Sequence, residues 1–182
     1  MDTQKRREIK FDSIYAKALI TRNITIPIHA VGKNIHNVLE KTMSSMLENR
    51  CIVEGYVKSG SIKIITYSSG IIKGINVSFE VVFECLVCCP IEGMLVQCVA
   101  KNITKAGIRA ESIDEKPSPI VVFVTRDHHY MNQAFSNIQE GDKFVARVIG
   151  QRFELNDKYV SVIAELYVKK EPTTNKPRLV IS

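Results

Sequence analysis

The N-terminal half of the chain alternates between strand-like and helix-like patterns. Residues from Tyr15 to Ile28 alternate loosely and are rich in Ile and Thr, which predicts a strand that stops at Pro27. From Asn34 to Asn49, apolar residues recur at the three- and four-residue spacing of one helical face. Three β-rich stretches then follow, separated by turn-forming Ser and Gly clusters: Cys51 to Val57, Ser61 to Tyr67 and Asn76 to Cys88. This order predicts an α+β N-terminal domain, a four-stranded antiparallel sheet covered by one long helix.

The pattern changes at residues 89–93, where Pro90 removes a ladder donor and Gly93 favours a turn, so we expect a domain boundary there. Five strand candidates follow, with one helical possibility at Asp127 to Asn137: Met94 to Asn102, Ala106 to Ser112, Pro119 to Thr125, Lys143 to Glu154 and Lys158 to Val168. This is the plan of an all-β OB-fold barrel. The predicted segments are a charged leader at 1–14, an N-terminal domain at 15–89, an OB-fold domain at 90–168, and a surface or disordered tail at 169–182.

Composition supports a globular protein, because 45% of the 182 residues are hydrophobic and 24% are charged. No apolar run approaches the roughly 20 residues that cross a bilayer, and the N-terminus is charged where a signal peptide would be apolar. We therefore expect an intracellular protein without a membrane partner. Five cysteines without a regular framework are typical of reduced thiols in the cytosol or nucleus, and a single disulfide is the alternative.

The net charge of +6 is compatible with an acidic partner such as nucleic acid, but neither half of the chain concentrates it. Strand alternation sorts the basic residues. Ala146 and Val148 should face the barrel core and leave Arg147 outside, and Ala106 and Ile108 should likewise leave Arg109 outside. We expect one outer RNA-binding surface without acidic residues interleaved in the strands that carry it, with these members: Lys101, Lys105, Arg109, Lys143, Arg147 and Arg152. The alternative is ordinary solvated side chains on a barrel exterior.

Several local features of the second half are similar to an OB domain of the ribosomal-S-one type: Glu92-Gly93, the hairpin at 103–108, Val122-Phe123-Val124, and Glu140-Gly141-Asp142 leading into Arg147-Val148. Together with the strand–helix–three-strand unit upstream, the chain resembles the larger stalk subunit of multisubunit RNA polymerases. This is the family of the seventh subunit of eukaryotic polymerase II and its archaeal counterpart. The resemblance covers Tyr15 to Leu166, and residues 103–108 are also similar to the copies of large DNA viruses.

The resemblance implies a non-catalytic subunit of DNA-directed RNA polymerase that forms the stalk and contacts the clamp and nascent RNA. The implied partners are core polymerase subunits, a smaller helical stalk partner of the fourth-subunit family, and nascent single-stranded RNA. No cofactor is implied. The location would be the nucleus for a cellular protein, or a cytoplasmic viral factory or virion for a viral one.

The resemblance also points to base-stacking positions, most of which lack an aromatic residue here. The family's stacking positions correspond to Ala106, Arg109 and Thr125, and only Phe123 remains aromatic nearby. Since stacking contributes about 1–3 kcal/mol per base, we expect weak, mostly electrostatic RNA binding. Phe123 is the candidate stacking residue, unless it lies in the barrel core.

Two segments of the N-terminal half are the candidate polymerase-docking elements. One runs from Pro27 to Gly32 and the other is a predicted hairpin tip from Ser68 to Gly74; by resemblance, they would lie beside the polymerase clamp. Ile71 and Ile72 stand beside glycines in a predicted turn, an independent indication of an interface, although they could instead fold inward. The docking candidates are Pro27, His29, Val31, Gly32, Ser69, Gly70, Ile71 and Ile72.

Metal and catalytic chemistry find little support in the sequence. Cys85 and Cys88 form a CxxC pair, but a structural zinc needs two further ligands at similar spacing, and the pair should point to opposite faces of a strand. His128-His129 could serve acid–base chemistry, or lie in a solvated loop that caps the barrel. With no phosphate loop, nucleophile elbow or paired carboxylate, we expect buried cysteines, no metal and no enzyme.

Two other functions compete with a polymerase stalk. A free-standing OB-fold RNA-binding protein in translation or RNA decay would explain the barrel but not the upstream unit. An enzyme using Cys or His is the third possibility, which the motifs do not favour. Co-purification with large polymerase subunits would distinguish a stalk subunit from a free-standing RNA-binding protein.

Overall fold

The computed structural model describes residues 13–129 and 131–168, and about 50% of these lie in strands and 13% in helices. The strands form a sheet followed by a closed barrel. The helices are a 3-10 turn at Ile28–Ala30, α1 at Ile35–Leu47 and α2 at Gln133–Ser136. Within these residues, no helix has the length and apolar character to span a membrane. The predicted tail and residues 1–12 of the predicted leader lie outside the described residues.

The sheet has six strands built around one long central strand. That strand, β6 (Asn76–Cys88), pairs antiparallel with all 13 residues of β1 (Tyr15–Pro27). Three short strands follow one another along the opposite edge of β6: β3 (Gly55–Val57), β4 (Lys63–Tyr67) and β5 (Ile71–Lys73). Outside β3, β2 (Cys51–Ile52) completes the sheet.

The core of this region lies between the sheet and α1. Leu39 and Met43 of α1 are fully buried and join a cluster with Ile20, Val81 and Phe83 from the two long strands. The alternation of β6 explains the contact, because its odd-numbered residues from Val77 to Val87 point towards the helix.

The predicted α+β domain with a four-stranded sheet and one long helix is wrong. The described chain is mostly β, α1 has only 13 residues, and the sheet has six strands. A turn at 53–54 divides the strand predicted at 51–57 into β2 and β3. The predicted turn at 68–74 contains β5, because the β-branched Ile71 and Ile72 pair with β6.

The second region is a closed barrel of five strands, as predicted. They are β7 (Leu95–Ile103), β8 (Gly107–Ser112), β9 (Ile120–Thr125), β10 (Lys143–Arg152) and β11 (Val160–Leu166). Around the barrel they follow the order β7, β8, β9, β11, β10 and back to β7, and all neighbours are antiparallel except β9 and β11. Small and branched inward residues fill the interior, joined by Phe135 of α2.

Sheet and barrel meet at a bonded junction. The Cys51 N–H donates to the Asp157 carbonyl at 2.7 Å, and the Asn156 N–H donates to the Cys51 carbonyl at 2.8 Å. The Glu115 carboxylate pairs with Lys58 and accepts a hydrogen bond from the Tyr15 hydroxyl at 2.5 Å. Burial alone would raise the pKa of Glu115, but these two hydrogen bonds and the Lys58 charge lower it. The predicted domain boundary at 89–93 falls between β6 and β7 and stays a prediction.

Candidate nucleic-acid interface

One side of the barrel combines a cation with an exposed aromatic ring. Arg109 on β8 stands directly opposite Phe123 on β9, and Phe123 in turn stands opposite Ile163 on β11. All three side chains point outward, and Phe123 is 39% exposed. Phe123 is therefore available to a base and does not belong to the barrel core.

Two further basic residues lie on β7 and in the turn that leads to the strand of Arg109. Lys101 lies at a bulge of β7, beside the residue that pairs with Arg109, and its Nζ is 3.7 Å from a Glu111 carboxylate oxygen. Lys105 is exposed in the turn that joins β7 to β8. We use "barrel face" below for Lys101, Lys105, Arg109, Phe123 and Ile163.

The remaining predicted RNA-binding residues lie elsewhere on the barrel. Arg147 on β10 is separated from Phe123 by β11, and its guanidinium pairs with Glu165 of that strand. Lys143 stands beside β7 on the other side of β10, while Arg152 lies at the opposite end of β10. Strand alternation correctly predicted outward side chains, but it does not fix the angle of a residue around a closed barrel.

The expectation that the strands of these basic residues carry no interleaved acidic residue is wrong for β8, because Glu111 lies in the same strand as Arg109. Acidic residues of neighbouring strands also pair with Lys101 and Arg147. Besides the Lys101 and Arg147 pairs, Arg152 lies 3.4 Å from a Glu154 oxygen. None of the ion pairs found in residues 13–129 and 131–168 involves Arg109, Lys105 or Lys143. Ala106, predicted to face inward, is exposed because it belongs to the turn and not to β8.

The two histidines after β9 have different environments. His128 is exposed, but His129 is buried, so the interpretation of both as a solvated loop is wrong for His129. Its Nε2 accepts a hydrogen bond from the Leu166 N–H at 2.8 Å, which leaves Nδ1 to donate to the Thr125 carbonyl at 2.8 Å. The ring also stacks on Phe135 at 4.9 Å. These contacts describe a structural histidine that ties α2 to two barrel strands.

The two predicted docking segments meet at one end of the sheet. The Ile28 N–H donates to the Ile75 carbonyl at 2.9 Å, and Ile72 pairs with Val77 across the β5–β6 hairpin. Ile71 and Ile72 are 63% and 69% exposed, so they do not fold inward. Sequence reasoning missed Ile75, which is 80% exposed. We use "apolar tip" below for the exposed residues Ile28, Val31, Ile71, Ile72 and Ile75.

The other docking candidates surround the apolar tip. Pro27 ends β1, His29 lies in the 3-10 turn, and Gly32 and Ser69 are exposed beside them. Close packing explains the glycine at position 70, because a Cβ there would come within 2.5 Å of the Val77 side chain and 2.9 Å of the Phe79 ring. Glycine therefore allows the chain to reach β5 close against β6.

The cysteines are mostly core residues. Cys85 packs in the core beneath α1 and Cys88 packs at the junction with the barrel, so they point to opposite faces as predicted. Burial raises the pKa of Cys85 to about 11 and that of Cys88 to about 12, which keeps both thiols protonated at neutral pH. Within the part of the chain that the structure describes, no cluster of His, Cys, Asp or Glu could hold a metal ion.

Comparison with known proteins adds one informative similarity. No protein-family model matches the chain. The chain is 27% identical over 171 residues to a protein of Acanthamoeba polyphaga mimivirus named "Putative DNA-directed RNA polymerase subunit L376". The matched region covers 85% of this chain and 82% of the viral protein, so it includes residues from both the sheet and the barrel.

Proposed function

We propose that this chain is a non-catalytic subunit of a DNA-directed RNA polymerase, docking through the apolar tip and presenting the barrel face to nascent single-stranded RNA. The observation that carries the proposal is the similarity to the mimivirus protein. It extends over both regions of the chain, whereas a shared barrel alone would fit many RNA-binding proteins.

The apolar tip supports the docking half of the proposal. Five exposed aliphatic side chains from two separate segments are brought together, and three of them lie within one short hairpin. Water-exposed apolar clusters of this kind are typical of protein interaction sites. Core polymerase subunits are the partner that fits this surface in the proposal.

The barrel face supports the RNA half. In an OB-type barrel, which we propose here from the strand order and the parallel β9–β11 pair, the second and third strands bind oligonucleotides. Arg109 on β8 and Phe123 on β9 are direct neighbours there, so one phosphate and one base could be bound side by side.

The stalk position and a smaller helical partner belong to the same proposal. Between sheet and barrel, a cleft of about 610 Å³ is lined by Ile14, Val87, Ile91 and Met94 among other residues. Ile91 is exposed at its edge, and an apolar partner helix covering the cleft would contact the sheet and the linker that leads into the barrel. Since the similar protein is viral, we propose the host cytoplasm or the virion as the site of action.

Affinity purification of the tagged full-length chain from infected cells tests the proposal. We expect the large polymerase subunits to co-purify in stoichiometric amounts and to stay bound in high salt, because an apolar contact is not screened. Recovery with ribosomes or RNA-decay proteins, without large polymerase subunits, would favour a free-standing RNA-binding protein instead.

A further inference from the structure

The turn between β7 and β8 is held by a residue from a distant part of the chain. Arg126 follows β9, and its backbone N–H donates to the Ala106 carbonyl at 2.9 Å. Its side-chain Nε donates to the Lys105 carbonyl at 3.0 Å and Nη2 donates to the Thr104 carbonyl at 3.2 Å. A single arginine therefore binds three successive carbonyls of the turn.

The guanidinium is itself supported by the barrel core. Its Cζ lies 5.6 Å from the centre of the Phe135 ring, and Phe135 is buried and stacked on His129. His129 is fixed in turn by its bonds to the backbone of Thr125 and Leu166. A planar guanidinium held over an aromatic ring has few orientations, so the carbonyls that it binds are held in place as well.

We propose that Arg126 is a positioning residue that fixes the turn carrying Lys105, and so acts on RNA binding through Lys105. This inference rests on the proposed RNA-binding function. Gly107 closes the same turn with a φ of +151°, and any Cβ there would overlap the Val124 carbonyl oxygen. The turn is therefore pressed against β9 at one end and held by Arg126 along its length, which sets the approach of Lys105 to the RNA backbone.

A direct contact between Arg126 and phosphate is the competing explanation, because Arg126 is exposed and a guanidinium has five N–H donors. The two explanations differ in their coupling to Lys105. If Arg126 acts through Lys105, its replacement should matter only while Lys105 is present. If it binds phosphate itself, the two losses should be independent.

The experiment compares Arg126→Lys, Lys105→Ala and the double variant in the full-length chain. Lysine keeps the charge but cannot reproduce the two side-chain hydrogen bonds of the arginine fork. The matched control is Arg50→Lys, a partly exposed arginine whose Nη2 donates to a single carbonyl, that of Ser45, at 3.3 Å. Hydrogen exchange reports on the amides of residues 103–108, and fluorescence anisotropy measures binding of a single-stranded RNA oligonucleotide.

We expect Arg126→Lys to accelerate exchange in the turn and to weaken RNA binding about threefold or more, with no further loss when it is added to Lys105→Ala. Arg50→Lys should change neither measurement. Unchanged exchange in Arg126→Lys would overturn the positioning role, and additive losses would assign a direct phosphate contact instead. A wild-type chain that binds no RNA overturns the proposed function and the RNA role of Arg126, while exchange still decides whether Arg126 holds the turn.

Discussion

The apolar tip and the barrel face differ in what they expose. The tip presents five exposed aliphatic side chains. The barrel face places one aromatic and one aliphatic residue among cations, one of which adjoins a glutamate. Association at the tip would depend on removing apolar area from water, whereas association at the barrel face would depend partly on displaced counterions. The proposal therefore assigns a different class of partner to each surface, a protein to the tip and a polyanion to the barrel face.

The largest expected effect is at the apolar tip. Replacing both Ile71 and Ile72 by Asp should abolish co-purification with the polymerase, because two charges would be buried without partners in an apolar contact. An interface hot spot costs about 2 kcal/mol or more when its side chain is lost, so the loss of two such residues should leave too little bound polymerase for a pull-down to detect. The matched control is Ile65→Asp, an isoleucine of β4 that is 59% exposed but lies outside the tip. Equal recovery of the double variant and wild type, with unchanged circular dichroism, would contradict this role.

A smaller effect is expected at Phe123. Phe123→Ala should weaken single-stranded RNA binding by about 1–3 kcal/mol at every salt concentration, because base stacking is not screened by ions. Thermal unfolding should change little, since the ring lies on the barrel exterior. RNA titrations at several salt concentrations measure the effect. A loss that disappears in high salt would show that Phe123 contributes no stacking.

Arg109 and Arg147 should contribute differently to the salt dependence of RNA binding, because only Arg147 is in one of the ion pairs of the described residues. Arg109→Ala should lower the slope of log affinity against log salt by about 0.7, the value for one phosphate contact on a single strand. Arg147→Ala should lower it less, because Arg147 pairs with Glu165 and stands away from Phe123. The same salt titrations compare both variants. A larger change for Arg147 than for Arg109 would move the RNA path to the β10 side of the barrel.

The smallest predicted effect tests whether the two regions are coupled through Glu115. Its pKa is lowered from the ordinary value of 4.5, so the folded state binds the proton more weakly than the unfolded state. The stabilisation is complete above about pH 4.5 and is lost as the pH falls through the lower folded pKa.

Urea unfolding from pH 3 to pH 7 measures this contribution. Wild type should exceed Glu115→Gln in stability by about 1 kcal/mol or less at pH 7, since the ion pair is partly exposed, and the difference should shrink below about pH 4.5. A difference that stays constant across this range would exclude Glu115 ionisation as its source.

Local patterns predict much of the barrel but less of the sheet. The alternation that buries Ala146 and Val148 and exposes Arg147 depends on neighbouring residues only, and the structure confirms it. The same rule cannot show that Arg147 and Phe123 lie on different sides, because barrel closure and strand order decide that. In the sheet, the glycines around Ile71 and Ile72 predict a turn, although pairing with β6 makes these isoleucines part of a strand.

The parts of the candidate sites that escape sequence reasoning depend on contacts between distant segments. Ile75 joins the apolar tip because the β1–β6 register brings its carbonyl to Ile28. In the sequence Arg126 is only a neighbour of His128, yet barrel closure places its side chain against the β7–β8 turn. For Ile75, the one signal in the sequence is its position next to Gly74. For Arg126, no local pattern indicates its contact with the β7–β8 turn.

The unbroken central strand β6 also sets the distance between the apolar tip and the barrel junction. It runs from Asn76 beside the apolar tip to Cys88 at the barrel junction, and 13 residues at about 3.3 Å each span about 40 Å. Because β1 pairs with it over that whole length, a single inserted residue would reverse the faces of every side chain beyond it and could not simply lengthen the strand. The strand thus acts as a spacer of fixed length. Substitutions can change the surfaces at its two ends far more easily than the distance between them.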